Sequence, residues 1–332
     1  MSDQSEQNRI DDLIVRIRRS AERLVADRVD RGDLKILSRT LRELRYAFKV
    51  FAPYRNQRKV SVFGSARTSA DAPTYRACVQ FGAAMAQHDW MVVTGAAQGI
   101  MEAGHVGAGR EMSMGLNIML PFEQEPNPVI ADDHKLVNMK YFFTRKLMFV
   151  KECDAVVCYP GGFGTLDEAL EVLTLIQTGK RDLVPVIFAD APGGNFWKTL
   201  DHFIREHLLL DGMISPNDLH LYSITDDYQA AAKEIMDYYR MFHSMRYVGR
   251  HLVLRLNGEL SESLLNEINS DFADLLNGGD FQQHQGKLDD EKEDPQTDHL
   301  TRLIFHFKRR DHGRLRQLVN MINEQGTPTV KE

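Results

Sequence analysis

Apolar residues recur at helical spacing over the first 57 residues of the chain. Ile10, Leu13, Ile14, Ile17, Ala21, Leu24 and Val25 form one series, and Leu37, Leu41, Leu44 and Phe48 form a second after a break near Gly32 and Asp33. Two amphipathic helices are predicted. The Arg and Asp residues between the apolar positions mix both signs, which reads as a solvated face and not as a nucleic-acid arm. From Lys59 the pattern changes. Short apolar runs at Val60–Phe63, Met91–Val93, Leu116–Leu120, Ala155–Tyr159 and Val184–Phe188 alternate with helix-like stretches. Those stretches fall near Thr74–Gln87, Gly99–Gly109, Tyr141–Glu152, Thr165–Gln177 and Phe196–Glu206. Apolar runs alternating with helices, with glycine clustered after the runs, predict an α/β fold: a doubly wound, Rossmann-like parallel sheet with helices on both faces.

A third zone begins near Tyr247. His251–Leu256 and Leu300–Phe307 read as strands, and Ser261–Leu276 and Gly313–Ile322 as helices. Residues 287–298 are acidic and poor in apolar side chains, so a mobile loop is expected there. The expected organisation is a helical N-terminal extension (1–57), a nucleotide-binding catalytic domain (58–245) and a small C-terminal α/β unit (246–332). The basic cluster Lys308, Arg309, Arg310, Arg314 and Arg316 reads either as a phosphate grip or as a strand end meeting a solvated helix.

At 332 residues the chain has room for this arrangement, and 43% apolar with 27% charged residues excludes wholesale disorder. A net charge of −6, from 41 basic and 47 acidic residues, argues against a nucleic-acid partner. Cys78, Cys153 and Cys158 form no C-x-x-C pair, so reduced thiols are expected, with neither a disulfide frame nor a zinc site. No apolar run is long enough for a membrane helix, and the polar start is unlike a signal peptide. A cytoplasmic protein with no membrane partner is expected.

Strand ends in such sheets point at the ligand. The loop with the most chemistry is Tyr159-Pro-Gly-Gly-Phe-Gly-Thr-Leu-Asp-Glu168, which follows an apolar strand and is expected to open a helix at Thr165. Glycines let the backbone approach an anion, and free N–H groups at the helix start point at it. The bland reading is a tight turn with a capping box, Glu168 returning to the cap amide. Two further loops, Thr94-Gly-Ala-Ala-Gln-Gly-Ile-Met-Glu-Ala103 and Gly64-Ser-Ala-Arg67, stand at equivalent strand ends. None is a dinucleotide fingerprint or a P-loop, which disfavours an NAD enzyme or an ATPase and favours a mononucleotide-sized ligand. Arg145 and Lys146 lie on a helix made largely apolar by residues at 142, 143, 147, 149 and 150, a costly place for cations unless an anion meets them.

These residues together resemble a known family. The run P-G-G-F-G-T-L-D-E, the upstream F-x-x-R-K, T-G-A-A-Q-G-I-M-E-A and G-L-N-I-x-L-P-F-E look like the LOG family, here of the long bacterial type. Its members are nucleoside 5′-monophosphate phosphoribohydrolases that release cytokinins in plants and were long labelled lysine decarboxylases. The resemblance covers residues 58 to 240. It implies hydrolysis of the N-glycosidic bond of nucleoside 5′-monophosphates such as AMP, including cytokinin riboside monophosphates, to free base and ribose 5-phosphate. It implies Arg145 and Glu168 as the catalytic pair, and Gly161, Gly162, Gly164 and Thr165 as the phosphate and ribose cradle. Lys146 and Thr174 match further substrate contacts. Gly64, Ser65 and Gly95 are the small residues of the other two loops, and Glu171 is placed one turn from Glu168 to support it. Ala96 and Ala97 stand where family members often carry glycine, and their methyl groups are expected to narrow the site.

No cofactor or metal is expected, and the family forms homodimers or larger homo-oligomers. The alternative class is a non-catalytic carrier of a nucleotide or of the molybdenum cofactor on the same sheet; retention of both Arg145 and Glu168 favours the enzyme. A decarboxylase would need a Schiff-base lysine with an acid for the pyridine nitrogen, a pairing the glycine loops do not offer. A DNA-processing protein of similar fold is disfavoured by the charge.

Overall fold

The computed structural model describes residues 2–120, 125–291 and 294–329, with side chains from Ile10 onward. Two compact units divide the chain, Met1–Lys49 and Val50–Glu332. The first is helical: α1 spans Ser2–Ala26, and α2 (Arg31–Phe51) runs to the start of the second unit. Both follow the apolar spacing.

The second unit opens with β1 (Lys59–Phe63), α3 (Pro73–Gln87), β2 (Met91–Thr94), α4 (Ile100–Ala108) and β3 (Ser113–Ile118). It continues with β4 (Leu136–Met139), α5 (Phe142–Glu152), β5 (Ala155–Cys158), α6 (Phe163–Gln177) and β6 (Val186–Ala189). Helix α7 (Phe196–Phe203) passes into a π-helical stretch, Ile204–Leu209, before β7 (Ser223–Thr225) and α8 (Tyr228–Tyr238). These strands form one parallel sheet in the order β4-β3-β2-β1-β5-β6-β7. Strands β1, β2, β3, β5 and β6 are buried along their whole length, as helices on both faces require. Val60 and Val62 face a core shared with Phe81 and Met85 of α3, Ala103 of α4 and Ile235 of α8. The opposite face of β1 meets α5, where Phe63 packs edge-on against Phe149 at 4.8 Å and the Ser61 hydroxyl donates to Cys153 Sγ at 2.7 Å.

The chain builds outward from β1 to β4, then returns to β5 on the other side of β1. The β1–β5 junction is therefore where strand order reverses, the position at which such sheets open a crevice beyond their carboxyl ends. The loops after β1, β2 and β5 all end there.

The rest of the second unit is β8 (Phe242–Val248), β9 (His251–Leu256), α9 (Glu262–Asp271), β10 (Gln282–Gln285), β11 (Thr301–Phe305) and α10 (His312–Gln325). An antiparallel sheet forms in the order β10-β11-β9-β8. The acidic 287–298 segment, of which 292 and 293 lie outside the described residues, is held down and not free. Glu291 is fully buried, accepting from Arg255 Nη2 and Arg302 Nε at 2.9 Å each. Burial alone raises its pKa, but the Leu288 amide and the two guanidinium groups outweigh that and hold it below its ordinary value. Four of the five residues of the basic cluster are likewise absorbed. Arg314 pairs with Asp274, Arg316 with Glu234, Lys308 donates to the Asp274 carbonyl and Arg309 lies over Tyr247. No helix among the described residues is long and apolar enough to cross a membrane.

Candidate active site

A cleft of about 810 Å³ lies beyond the carboxyl ends of β1, β2 and β5. Its walls include Gly64 and Ser65 of the first loop, Gly95 of the second, Gly161, Gly162, Gly164 and Thr165 of the third, and Arg145 and Glu168 from α5 and α6. Lys146, Glu171 and Thr174 do not line it. Lys146 Nζ lies 2.7 Å from Glu171 and 2.8 Å from Asp167, while the Thr174 hydroxyl donates to the Leu170 carbonyl at 2.8 Å. A second hollow, of about 620 Å³ between α8 and α10, is lined by charges already paired, among them Arg316 with Glu234 and Lys233 with Asp237.

Each loop is shaped by close backbone approach. A methyl group on Gly161 would stand 2.2 Å from Thr165 Oγ1 and 3.0 Å from the Ser65 nitrogen, so only glycine lets the first and third loops meet. Gly99, with φ +65°, brings α4 against the first loop: a Cβ there would lie 2.3 Å from the Ser65 carbonyl. Gly162 and Gly164 have nothing within 4 Å of a notional Cβ. They are small because the space beside them is cleft.

Helix α6 begins at Phe163 with Gly162 as N-cap and no side-chain cap, two residues earlier than the loop composition suggests. Gly162 and Phe163 extend the turn because Gly162 supplies the non-helical residue. Thr165 is thus inside the first turn and Glu168 lies beyond it, out of reach of a capping box. The capping alternative fails on this geometry, and Glu168 is left to face the cleft.

The second loop is held from below by groups that its own sequence does not show. His105 Nε2 lies 3.1 Å from Thr94 Oγ1 and 3.0 Å from the Met114 carbonyl. The Asn127 amide lies 3.1 Å from His105 Nδ1 and donates to the Ala96 and Ala97 carbonyls at 3.1 Å each. Burial pushes the His105 pKa down to about 4, so it serves as a neutral hydrogen-bonding post. This clamp turns Ala96 into the core, fully buried at φ +61°. Only the Ala97 methyl reaches the cleft, so one of the two expected constrictions is absent. Pro121–Glu123, the end of the G-L-N-I-x-L-P-F-E motif, lie outside the described residues.

Arg145 and Glu168 face each other at the cleft floor. Nη2 of Arg145 is 3.9 Å from Glu168 Oε1, too long for a hydrogen bond, and both side chains are largely buried. The guanidinium centre stands 5.1 Å from the Phe142 ring and 5.8 Å from the Phe149 ring, an aromatic seat that favours a flat, weakly hydrated cation. Burial lowers the Arg145 pKa from its ordinary value, against the opposing pull of Glu168 and Asp167. Glu168, 4% exposed, is pushed up to about 7 by burial, partly countered by Lys146 and Arg145 and reinforced by Glu171 and Asp167. A carboxyl poised near neutrality can exchange a proton at physiological pH. Lys146, unlike Arg145, is raised: burial depresses it, but hydrogen bonds to Asp167 and Glu171 outweigh that.

The apolar part of the wall came without a sequence signal. Met101, Ile118, Phe142, Phe149 and Phe196 line the cleft, yet each reads as ordinary core in a one-dimensional pattern. Helix α5 departs from that pattern in another way, since Phe142, Phe143 and Leu147 are about half exposed while Thr144, Met148 and Phe149 turn inward. No lysine lines the cleft, and no group of three or more His, Cys, Asp or Glu suited to a metal ion occurs among the described residues.

Comparison with known proteins bears on the same segment. Residues 93–235 match the family model described as "Possible lysine decarboxylase". The chain is 35% identical over 94 residues to the cytokinin riboside 5′-monophosphate phosphoribohydrolase LOG1 of Arabidopsis thaliana, covering 28% of this chain and 42% of that protein. It is 40% identical over 72 residues to LOG3 of the same plant, covering 22% of this chain and 32% of the relative. The chain therefore spans less than half the length of the curated relatives it matches. Among solved structures, a molybdenum cofactor binding protein from Rippkaea orientalis aligns with 55% of this chain and 96% of its own, at 18% identity and a TM-score of 0.39. The matched stretch runs from the second loop through the arginine helix and the third loop to α8, and over it this chain is similar to the LOG phosphoribohydrolases and to the family described as possible lysine decarboxylases.

Proposed function

We propose that the protein hydrolyses the N-glycosidic bond of nucleoside 5′-monophosphates, AMP-like substrates including cytokinin riboside monophosphates, giving the free base and ribose 5-phosphate. The observation that carries this reading is the buried Glu168 carboxyl, 3.9 Å from Arg145, at the floor of a cleft whose rim is three glycine loops. The 5′-phosphate sits at the start of α6, where unpaired backbone N–H groups and the helix dipole favour an anion and Gly162 and Gly164 leave room for it. Glu168 lies roughly 6 Å further along the helix axis, at about 1.5 Å per residue from Gly164, so it reaches the sugar of a nucleotide held by its phosphate.

Cleavage passes through a ribosyl cation with charge on C1′. The C1′–N bond breaks with its electron pair leaving on the base; water then bonds to C1′ as its proton passes to Glu168, and Glu168 returns that proton to the departed base. The ionised carboxylate also stabilises the cation before the water adds. Arg145, seated on its two phenylalanine rings, keeps Glu168 oriented and offers its outer N–H groups to the substrate. The reaction as written needs no cofactor.

Incubation of the purified protein with a panel of nucleoside monophosphates, assayed for ribose 5-phosphate, tests the proposal. Release from at least one nucleotide, abolished in a folded Glu168→Gln variant, is expected. Binding without release across the panel identifies a carrier instead, and full activity in Glu168→Gln removes the assignment of that residue.

A further inference from the structure

A phosphate monoester at the start of α6 brings nearly two negative charges into the cleft at neutral pH, and the groups named so far answer little of that charge. The uncapped helix start supplies roughly half an elementary charge. Arg145 lies on the cleft floor, seated on Phe142 and Phe149 and facing a carboxyl of opposite sign at 3.9 Å. Lys146 is turned onto Asp167 and Glu171. Arg67 also lines the cleft, from the loop after β1. It is exposed, and its guanidinium has no hydrogen bond, ion pair or ring contact among the described residues of the second unit.

The backbone beneath that free cation is fixed. The Arg67 amide donates to Ser65 Oγ at 3.1 Å, the Ser65 amide donates to the Pro160 carbonyl at 3.1 Å, and the Ile100 amide donates to the Ser65 carbonyl at 3.0 Å. The first loop is therefore stitched to the third loop on one side and to α4 on the other. A Cβ on Gly161 would stand 3.0 Å from the Ser65 nitrogen, so the two loops touch one residue from the Gly162 cap and two residues from Arg67.

We propose that Arg67 reads the phosphate. It pairs with the outer oxygens of a 5′-phosphate seated at the start of α6 and sets the preference of the site for nucleotides over nucleosides. The assignment rests on the phosphate position of the proposed function and not on the bond cleavage, because a carrier of a phosphorylated ligand would use Arg67 in the same way. Two features favour phosphate over the base as its partner. The planar fork of a guanidinium matches two phosphate oxygens, and the cleft holds no other cation free of an opposing charge among the described residues. Reading a base edge also needs a guanidinium held in one direction. Arg145 has such a seat on its two rings, and Arg67 has none. A long stem with a mobile charged end suits an anion that arrives with the ligand.

The test is calorimetric titration of the full-length chain with AMP, ribose 5-phosphate and adenosine. A Glu168→Gln parent is used so that turnover does not consume the ligand, and it is compared with the same chain carrying Arg67→Ala. Kd for AMP and for ribose 5-phosphate is expected to rise about tenfold or more, and Kd for adenosine to move less than about twofold. Arg67→Lys, which keeps the charge without the fork, should fall between. Added salt should weaken AMP binding by the parent more than by the Arg67→Ala chain. An equal loss for AMP and adenosine, no loss for AMP, or a parent that binds AMP no more tightly than adenosine overturns the proposal. Ribose 5-phosphate release by the wild-type chain, measured separately, decides the hydrolytic function. Its failure beside a selective loss of AMP binding in Arg67→Ala removes the hydrolysis and leaves the phosphate assignment standing.

Discussion

Replacing Glu168 by Gln should stabilise the protein, and by an amount that grows with pH. Glu168 is almost fully buried, and its carboxyl is held at about 7 against an ordinary value of 4.5. Below pH 4.5 the group is protonated in both folded and unfolded chains and costs nothing. Between 4.5 and 7 the folded state keeps the proton that the unfolded state has lost. Stability tied to this group is therefore present at low pH and drains away as pH rises through 7. At about 1.36 kcal/mol per pKa unit, the loss is roughly 1 kcal/mol at pH 5 and about 3 kcal/mol at pH 8. Gln keeps the shape and hydrogen-bonding capacity but has no proton to lose. The gap in melting temperature between Glu168→Gln and wild type should widen by about 4 °C from pH 5 to pH 8, taking roughly 2 °C per kcal/mol for a unit of this size. Differential scanning calorimetry of both proteins at the two pH values measures it. A gap of equal size at both would mean that Glu168 titrates as an ordinary carboxylate, and its suitability as a base near neutrality would go with it.

Other consequences follow from the same geometry. If Glu168 acts as base, the rate of nucleotide hydrolysis should fall about tenfold per pH unit below 7. Lys146→Ala, which removes the strongest cationic pull on Glu168, should move that midpoint to higher pH; a pH–rate profile of the variant checks both statements. Gly162→Ala should fold normally, since a methyl group meets nothing within 4 Å, and yet raise KM for a nucleotide about tenfold or more by filling the anion cradle. Gly161→Ala, whose Cβ would strike Thr165, should lower the melting temperature as well, and circular dichroism with steady-state kinetics separates the two. Glu291→Ala strands Arg255 and Arg302 in a buried site and should cost about 3–5 kcal/mol in denaturant unfolding; a cost below about 1 kcal/mol would show that these arginines find other partners.

The elements that the sequence makes legible are those whose apolar period is long and uninterrupted. Strands β1, β2 and β5 and helices α3 to α6 fall within a few residues of where their patterns place them. The elements that escape the pattern share a physical trait. Leu136–Met139, buried over only part of its length, and Ser223–Thr225, half-buried throughout, are short edge strands, and Gln282–Gln285 is an edge strand of polar residues alone. Their hydrogen bonds come from a neighbouring strand and not from their own side chains. The same division holds in the cleft. Glycine loops and charged pairs stand out in a sequence because their residue types are costly elsewhere. Phe142, Met101 and Phe196 cost nothing in a core, so their use as cleft wall appears only in three dimensions. His105 and Asn127 are harder still, being 22 residues apart and joined only by the fold.

The start of α6 decides how the strongest motif is understood. With the helix opening at Thr165, Glu168 would occupy the third helical turn position next to a threonine cap, and a capping box would account for both residues without any ligand. Opening at Phe163 with Gly162 as N-cap leaves the first amides of α6 without a side-chain partner and sets Glu168 past the first turn, among Cys158, Arg145 and the cleft. A glycine cap adds almost nothing to helix stability by itself. The chain thus forgoes a side-chain cap at α6, as it does on α3, α4, α5 and α7, while it places such caps at Asp227, Ser261 and Asp311 on α8, α9 and α10. An uncapped start beside two glycines that leave their space empty is what a bound phosphate would complete, and a carboxyl further along the same helix then faces the sugar and not the phosphate. In the proposed reaction one rigid helix would fix the distance between the anion and the proton acceptor, so substrate binding and bond cleavage would be set by a single element.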